Sequence, residues 1–223
     1  ETAAGIVADR IRRQEFVEVF AHHDADGIAG ASILCHAMLR AGIRFRLRIR
    51  QEISAADITG DSAYLLCDLG AGTEDLPRDV MVVDHHLPRF GGEFHVNPRL
   101  SGIDGDRELS AAGTAYSVAL EMGDNRDLAG LVIPGIIGDG QQMAGRNLAI
   151  FNEGIANGII APDRGSTLPG RDMPERGYMA ISPYLDGISG GEQLIADLIS
   201  QAHDQVKGEN ASRLDTLLSR VVL

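Results

Sequence analysis

The chain has 223 residues, 44% of them hydrophobic, enough to bury a core as one large domain or as a domain with an appendage. Its 32 acidic and 20 basic side chains leave a formal charge of −12, which excludes a protein that coats nucleic acid through a broadly basic surface. No apolar run approaches the roughly 18 residues of a membrane span and no signal-peptide pattern opens the chain. Cys35 and Cys67 lie far apart in apolar settings, so neither a zinc spacing nor a disulfide framework is expected, and a soluble cytoplasmic protein follows.

Phe16, Val17, Val19 and Phe20 form a β-prone run ending at Ala21, and residues 27–39 keep helical spacing through Ile28, Ala31, Leu34, Cys35, Met38 and Leu39. His22-His23-Asp24-Ala25-Asp26-Gly27 is therefore a loop between a strand and a helix. Residues 43–49 alternate strictly, Phe45, Leu47 and Ile49 on one face and Arg44, Arg46, Arg48 and Arg50 on the other. Such a stripe could follow a nucleic-acid backbone, but a solvated face or a charge-protected edge strand is the favoured reading. Residues 63–67 end at Asp68, and residues 80–83 end at Asp84-His85-His86.

Three apolar strands thus deliver acidic or histidine residues at their carboxyl ends, the pattern of an α/β fold with an open, mostly parallel sheet flanked by helices and one crevice beyond the strand ends. Residues 111–121 and 128–137 read as helices or buried apolar segments, the second running into Gly138-Asp139-Gly140. Residues 157–191, rich in Gly and Pro, read as a long ordered loop. Leu194, Ile195, Leu198, Ile199 and Val206 mark one amphipathic helix, and Leu214, Leu217, Leu218 and Val221 another. The division expected is a catalytic domain over residues 1–190 and a helical linker, or the start of a further domain, over 191–223. Glu1 in place of Met and the apolar end Val221-Val222-Leu223 suggest a segment of a longer protein.

Alternate residues of an extended segment point the same way, so His22, Asp24 and Asp26 are expected to converge while His23 and Ala25 face elsewhere. Asp68, Asp84-His85-His86 and Asp139 supply further ligands. Aspartates crowded together repel unless cations or protons neutralise them. Mixed carboxylate and imidazole donors suit manganese, with magnesium or cobalt possible, better than calcium or structural zinc. Two such ions ~3.5–4 Å apart activate water and hold a phosphate, which is the chemistry of phosphoester hydrolysis. Asp68, alone at a middle strand end, is the best placed to bridge them.

The set His22-x-Asp24-x-Asp26-Gly27, Asp68, Asp84-His85-His86 and Gly138-Asp139 resembles the four motifs of the DHH phosphoesterases, in order, over residues ~15–145. The spacing of the first motif is similar to that of RecJ-like nucleases. Asn97-Pro98 and Gly113-Thr114-Ala115-Tyr116 are similar to archaeal RecJ-like proteins. The resemblance implies that His22 and Asp24 hold one metal, that Asp26, His85 and Asp139 hold the other, and that Asp68 bridges. It further implies that His86 faces the scissile phosphate and that Asp84 orients a ligand imidazole. The implied activity is manganese-dependent exonuclease action on single-stranded DNA or RNA. Alternatives are a phosphodiesterase of small molecules or short oligonucleotides, or a replisome scaffold associated with GINS. RecJ-like proteins usually continue into a second domain with a glycine-rich phosphate grip, which is not seen after Gly191. His36, His95 and His203 are expected to be structural or at the surface, and Arg164, Arg171 and Arg176 are candidates for phosphate contact.

Overall fold

Five strands, β1 (Phe16–His22), β2 (Arg44–Arg50), β3 (Ala63–Cys67), β4 (Met81–Val83) and β5 (His95–Val96), make one sheet in the order β2-β1-β3-β4-β5, parallel at every pairing. The computed structural model describes residues 2–162, 173–180, 184, 189–191, 193 and 195–197. The chain divides into two units, Glu1–Ala161 and Pro162–Leu223, and the sheet belongs to the first.

The central strands β1, β3 and β4 are buried on both faces, and the two faces differ in what covers them. Val17, Val19 and Ala21 of β1, with Leu65, Cys67, Met81 and Val83, pack against α1 (Ala3–Arg12), α2 (Ala25–Arg40) and α3 (Ala111–Met122). On the opposite face Phe20, Tyr64, Leu66, Val80 and Val82 are covered by loop residues Ile53, Ile58, Leu69, Leu76 and Phe90. A further helical layer closes over α2 and α3. There Leu128, Ala129, Val132 and Ile136 from a 3-10 segment (Arg126–Leu131) and α4 (Val132–Gly138), with Ile150 of α5 (Gly145–Ala156), meet Ala29, Ile33, Ala112 and Tyr116. Alanines at this contact let the helices approach closely, and burial of each large apolar side chain stabilises the fold by roughly 1.5–3 kcal/mol.

β2 is an edge strand, and three of its arginines serve the fold. Glu18 of β1 is 4% exposed, Arg46 forms a two-nitrogen ion pair with it, and Arg48 Nη1 lies 3.5 Å away. Arg48 and Arg50 lie over the Phe20 ring at 5.5 and 5.6 Å. Both cysteines are buried and unpaired. Among the described residues no helix is long and apolar enough to cross a membrane.

Several expectations change. Residues 128–137 are a 3-10 segment followed by a short helix rather than one element. The long loop read over 157–191 contains α6 (Met173–Tyr178). α1, α5 and β5 were not anticipated. Most of the proposed helices beyond 191, His203, Arg164 and Arg171 lie outside the described residues, and the proposed boundary at 190 falls within the second unit.

Candidate metal centre

The sheet register builds the site. Ala21, Cys67, Val83 and Val96 form one row across β1, β3, β4 and β5. The residues that follow, His22, Asp68, Asp84 and Asn97, therefore form the next row at the carboxyl edge, with Arg50 opposite His22 on β2.

Asp68 occupies the centre. It is 2% exposed and adopts φ 56°, a left-handed conformation that is uncommon outside glycine and that aspartate tolerates better than most residues. Its Oδ2 lies 3.4 Å from His22 Nδ1, and its Oδ1 lies 3.4 Å from both His85 Nε2 and His86 Nδ1. None of Asp68 Oδ1, Asp68 Oδ2, His22 Nδ1 and His85 Nε2, all buried, has an aligned hydrogen-bond partner. Burial, with the neighbouring charges of Asp26 and Asp84, pushes the Asp68 carboxyl up to about 7 against the opposing effect of His85.

The first motif splits in two. Asp24 caps α2, its Oδ1 accepting the Gly27 N–H at 2.9 Å, while its Oδ2 lies 2.8 Å from His22 Nδ1. Burial raises its pKa, but the Gly27 amide and His22 outweigh that and hold it below the usual value. Gly27 has a steric reason: a Cβ there would stand 2.5 Å from the His22 carbonyl oxygen. Asp26 is already in the first helical turn and fully buried, its two oxygens accepting the Ala111 and Ala112 amides at the start of α3 at 2.6 and 2.8 Å. A carboxylate is favoured at that positive helix end, yet burial and the charge of Asp139 raise the Asp26 pKa. The alternation of an extended strand thus holds for His22 and Asp24 and fails for Asp26. The helix begins between them, and the winding of α2 carries Asp26 to a different side of Asp68.

His85 is aimed from behind. Its Nδ1 lies 2.6 Å from the Gly105 carbonyl, which fixes that nitrogen as the donor and turns Nε2 toward Asp139 Oδ2 (3.1 Å), Asp68 Oδ1 (3.4 Å) and Asp26 Oδ2 (3.7 Å). Burial opposes its charge, but Asp139, Asp68 and Gly105 raise its pKa to about 11. Asp84 orients a neighbouring ring. Its Oδ1 takes His86 Nδ1 at 2.8 Å and the amides of His85 and His86, and its Oδ2 takes the Ala71 amide at 2.9 Å. Despite burial these partners hold Asp84 at about 2, and the Asp84 contact raises His86. The imidazole that Asp84 orients is therefore His86, whereas His85, the ligand named by the resemblance, is oriented by a backbone carbonyl. The reason is local: just past the end of β4 the chain bends at His86, and Asp84 Oδ1 accepts both the His86 amide and the His86 ring.

Three groupings of donor atoms lie within 4.8 Å internally: His22, Asp24 and Asp68; Asp26, His85 and Asp139; and Asp68, Asp84, His85 and His86. Every residue singled out from the sequence as a metal or catalytic candidate is in at least one of them. The sequence reading missed the supports: Gly105, Gln141, whose Nε2 donates to the Gly105 carbonyl at 2.8 Å, and Arg99, whose Nε donates to the His85 carbonyl at 2.8 Å. It placed Asn97 only by resemblance; its Nδ2 donates to the His86 carbonyl at 2.9 Å. No spacing rule marks such residues, because they act through loops that meet only in the folded chain. His95 is buried in β5 against Phe90, and His36 is exposed.

No protein-family model matches the chain. An uncharacterized protein of Methanocaldococcus jannaschii is 32% identical over 158 residues, which are 62% of this chain and 36% of that protein. A RecJ from Thermus thermophilus, in complex with Mn2+, superposes with a TM-score of 0.56 at 24% identity over 69% of this chain and 26% of its own. An exonuclease RecJ bound to manganese gives 0.57 at 21% identity over 99% and 60%. The DHH domain of a member of the s1p family of ribosomal proteins gives 0.55 at 17% identity over 91% and 59%. The chain spans about a third of the curated relative and between about a quarter and three fifths of these solved chains. The fold is that of a DHH domain. The same fold is seen in the RecJ structures.

Proposed function

We propose that this domain is the catalytic part of a DHH-family phosphoesterase that uses two divalent cations, manganese by preference, to hydrolyse phosphodiester bonds of single-stranded DNA or RNA. One observation carries the reading: four buried ring and carboxylate atoms around Asp68 face one another with no aligned hydrogen between them. Buried polar atoms are almost always satisfied, and carboxylate with imidazole is the donor set of manganese or magnesium-like ions. His22, Asp24 and Asp68 would hold one cation and Asp26, His85 and Asp139 the other, with Asp68 shared. Bound there, the cations supply charge neutralisation and Lewis acidity at the scissile phosphate.

The chain's own contribution is placement. Asp84 fixes His86 through Nδ1, and the His86 side chain is 57% exposed, so the opposite edge of the ring can donate to a phosphate oxygen. Its raised pKa keeps that donor protonated nearer to neutral pH. The RecJ likeness supports nucleic acid as the substrate class, and the retained donor set speaks against a GINS-bound scaffold without chemistry.

The test is turnover of labelled single-stranded DNA, single-stranded RNA, a dinucleotide and pyrophosphate by the full chain with Mn2+, Mg2+ or EDTA. Mn2+-dependent cleavage of a single strand, lost in Asp68→Asn and in His86→Ala, is expected. Preference for the dinucleotide or pyrophosphate would transfer the assignment to a small-molecule phosphoesterase. No divalent uptake by the wild-type chain in a calorimetric titration would refute the metal centre.

A further inference from the structure

The turn that follows Asp139 is tied to the carbonyl that holds His85. Gln141 lies two residues beyond Asp139, and its backbone N–H donates to the Ile136 carbonyl at 3.0 Å, closing the end of α4. From there its side chain reaches the Gly105 carbonyl at 2.8 Å, so Gln141 Nε2 and His85 Nδ1 converge on one oxygen. The two nitrogens are 3.2 Å apart.

The direction of the Gln141 amide is set by a second amide. Asn147 of α5 is fully buried, and its Nδ2 donates to Gln141 Oε1 at 2.8 Å and to the Gln142 carbonyl at 3.3 Å. Reversing Asn147 would press its oxygen against those two oxygens, so its orientation is determined, and with it the end of Gln141 that faces Gly105. The Asn147 backbone N–H also donates to the Glu108 carbonyl at 2.9 Å, which ties α5 to the loop bearing Gly105. None of these bonds reaches His22 or Asp24.

The geometry points to Gln141 and Asn147 as positioning residues that clamp His85 to Asp139 and so set the affinity of one cation subsite, Asp26 with His85 and Asp139, while leaving the His22 and Asp24 subsite alone. This inference rests on reading the centre as metal-binding. The Gly105 carbonyl holds the proton on His85 Nδ1, and Gln141, donating to the same oxygen, holds that carbonyl in place, so that Nε2 is kept for the cation; partners of this kind alter metal affinity by about 10–100-fold.

Gln141→Met keeps the length of a half-buried side chain and removes its donor. In a calorimetric titration of the full chain with Mn2+, one class of site is expected to weaken about 10–100-fold while the other stays within about twofold. Asn147→Ser, which leaves Gln141 in place but frees its amide, is expected to weaken the same class to a smaller degree. The second readout is the His85 Nδ1 proton in nitrogen-edited NMR, recorded metal-free and with Mg2+. It is expected far downfield and slowly exchanging in the wild type, and shifted upfield and exchanging faster in Gln141→Met. Equal weakening of both classes, no weakening, or an unmoved Nδ1 proton overturns the clamp. If the wild-type chain takes up no cation, the metal reading fails, and the NMR comparison alone decides whether Gln141 orients His85.

Discussion

Asp68→Asn removes one charge and almost no volume from the centre of the site, and the structure gives both the sign and the size of the response in metal-free protein. The carboxyl is 2% exposed, without aligned hydrogen bonds, and has its pKa pushed up to about 7. In the unfolded chain it ionises near 3.8. The folded state therefore binds more protons than the unfolded one between these values, and stability is lost as pH rises from about 4 to about 7. A shift of about 3 units at about 1.4 kcal/mol each sets a ceiling of about 4 kcal/mol above pH 7, and relaxation with water entry lowers it to about 2–3 kcal/mol. The variant should accordingly melt about 5–10 °C above the wild type in EDTA at pH 8. At pH 5 only about a third of that gain remains. Thermal unfolding by circular dichroism at the two pH values measures this directly. With Mn2+ the order is expected to invert, since the wild type gains more binding free energy from the ion than a variant that has lost the shared carboxylate. A variant less stable than the wild type in EDTA at pH 8, or a gain that is the same at both pH values, would refute the reasoning.

Asp84→Asn should act in the opposite sense: it strips charge from a carboxylate that accepts from three amides and one ring, so the metal-free domain should lose about 2–4 kcal/mol, read in urea unfolding at pH 7. Because Asp84 is held at about 2, its contribution is present above about pH 4 and is lost as pH falls toward 2, so the difference between variant and wild type should narrow in acid. Gly105→Ala should lower stability by about 1–3 kcal/mol and weaken Mn2+ binding, because a Cβ there would lie 2.2 Å from the His85 carbonyl, a backbone atom that must move with its ring. The double variant Arg46→Ala, Arg48→Ala leaves Glu18 buried without a cation and should lower the urea midpoint at pH 7 with Mn2+ affinity in a calorimetric titration unchanged.

How far the sequence reaches can be judged residue by residue. The strands leading to His22, Asp68 and Asp84 were legible because each is a short apolar run with a polar stop, and the parallel order was legible because all three deliver acidic or histidine residues at their carboxyl ends. The charged edge strand was legible because alternation of arginine with apolar residues suits a strand with one solvated side. β5, two residues long, carries too little pattern to be read, and α1 and α5 carry no motif residue that would mark them. The reading of Asp26 failed for a local reason, since a strand rule was applied one residue past the start of a helix.

By itself the sequence determined which side chains could meet and in what chemistry, because strand period, strand ends and the choice of aspartate and histidine are local properties of the chain. Only the tertiary structure decided how they meet. It made Asp26 a cap of α3 as well as a neighbour of His85, placed Asp84 behind His86, and recruited Gly105, Gln141 and Asn147 to hold His85. Those assignments depend on hydrogen bonds between segments up to about 85 residues apart, which exist only once apolar burial has brought the segments together.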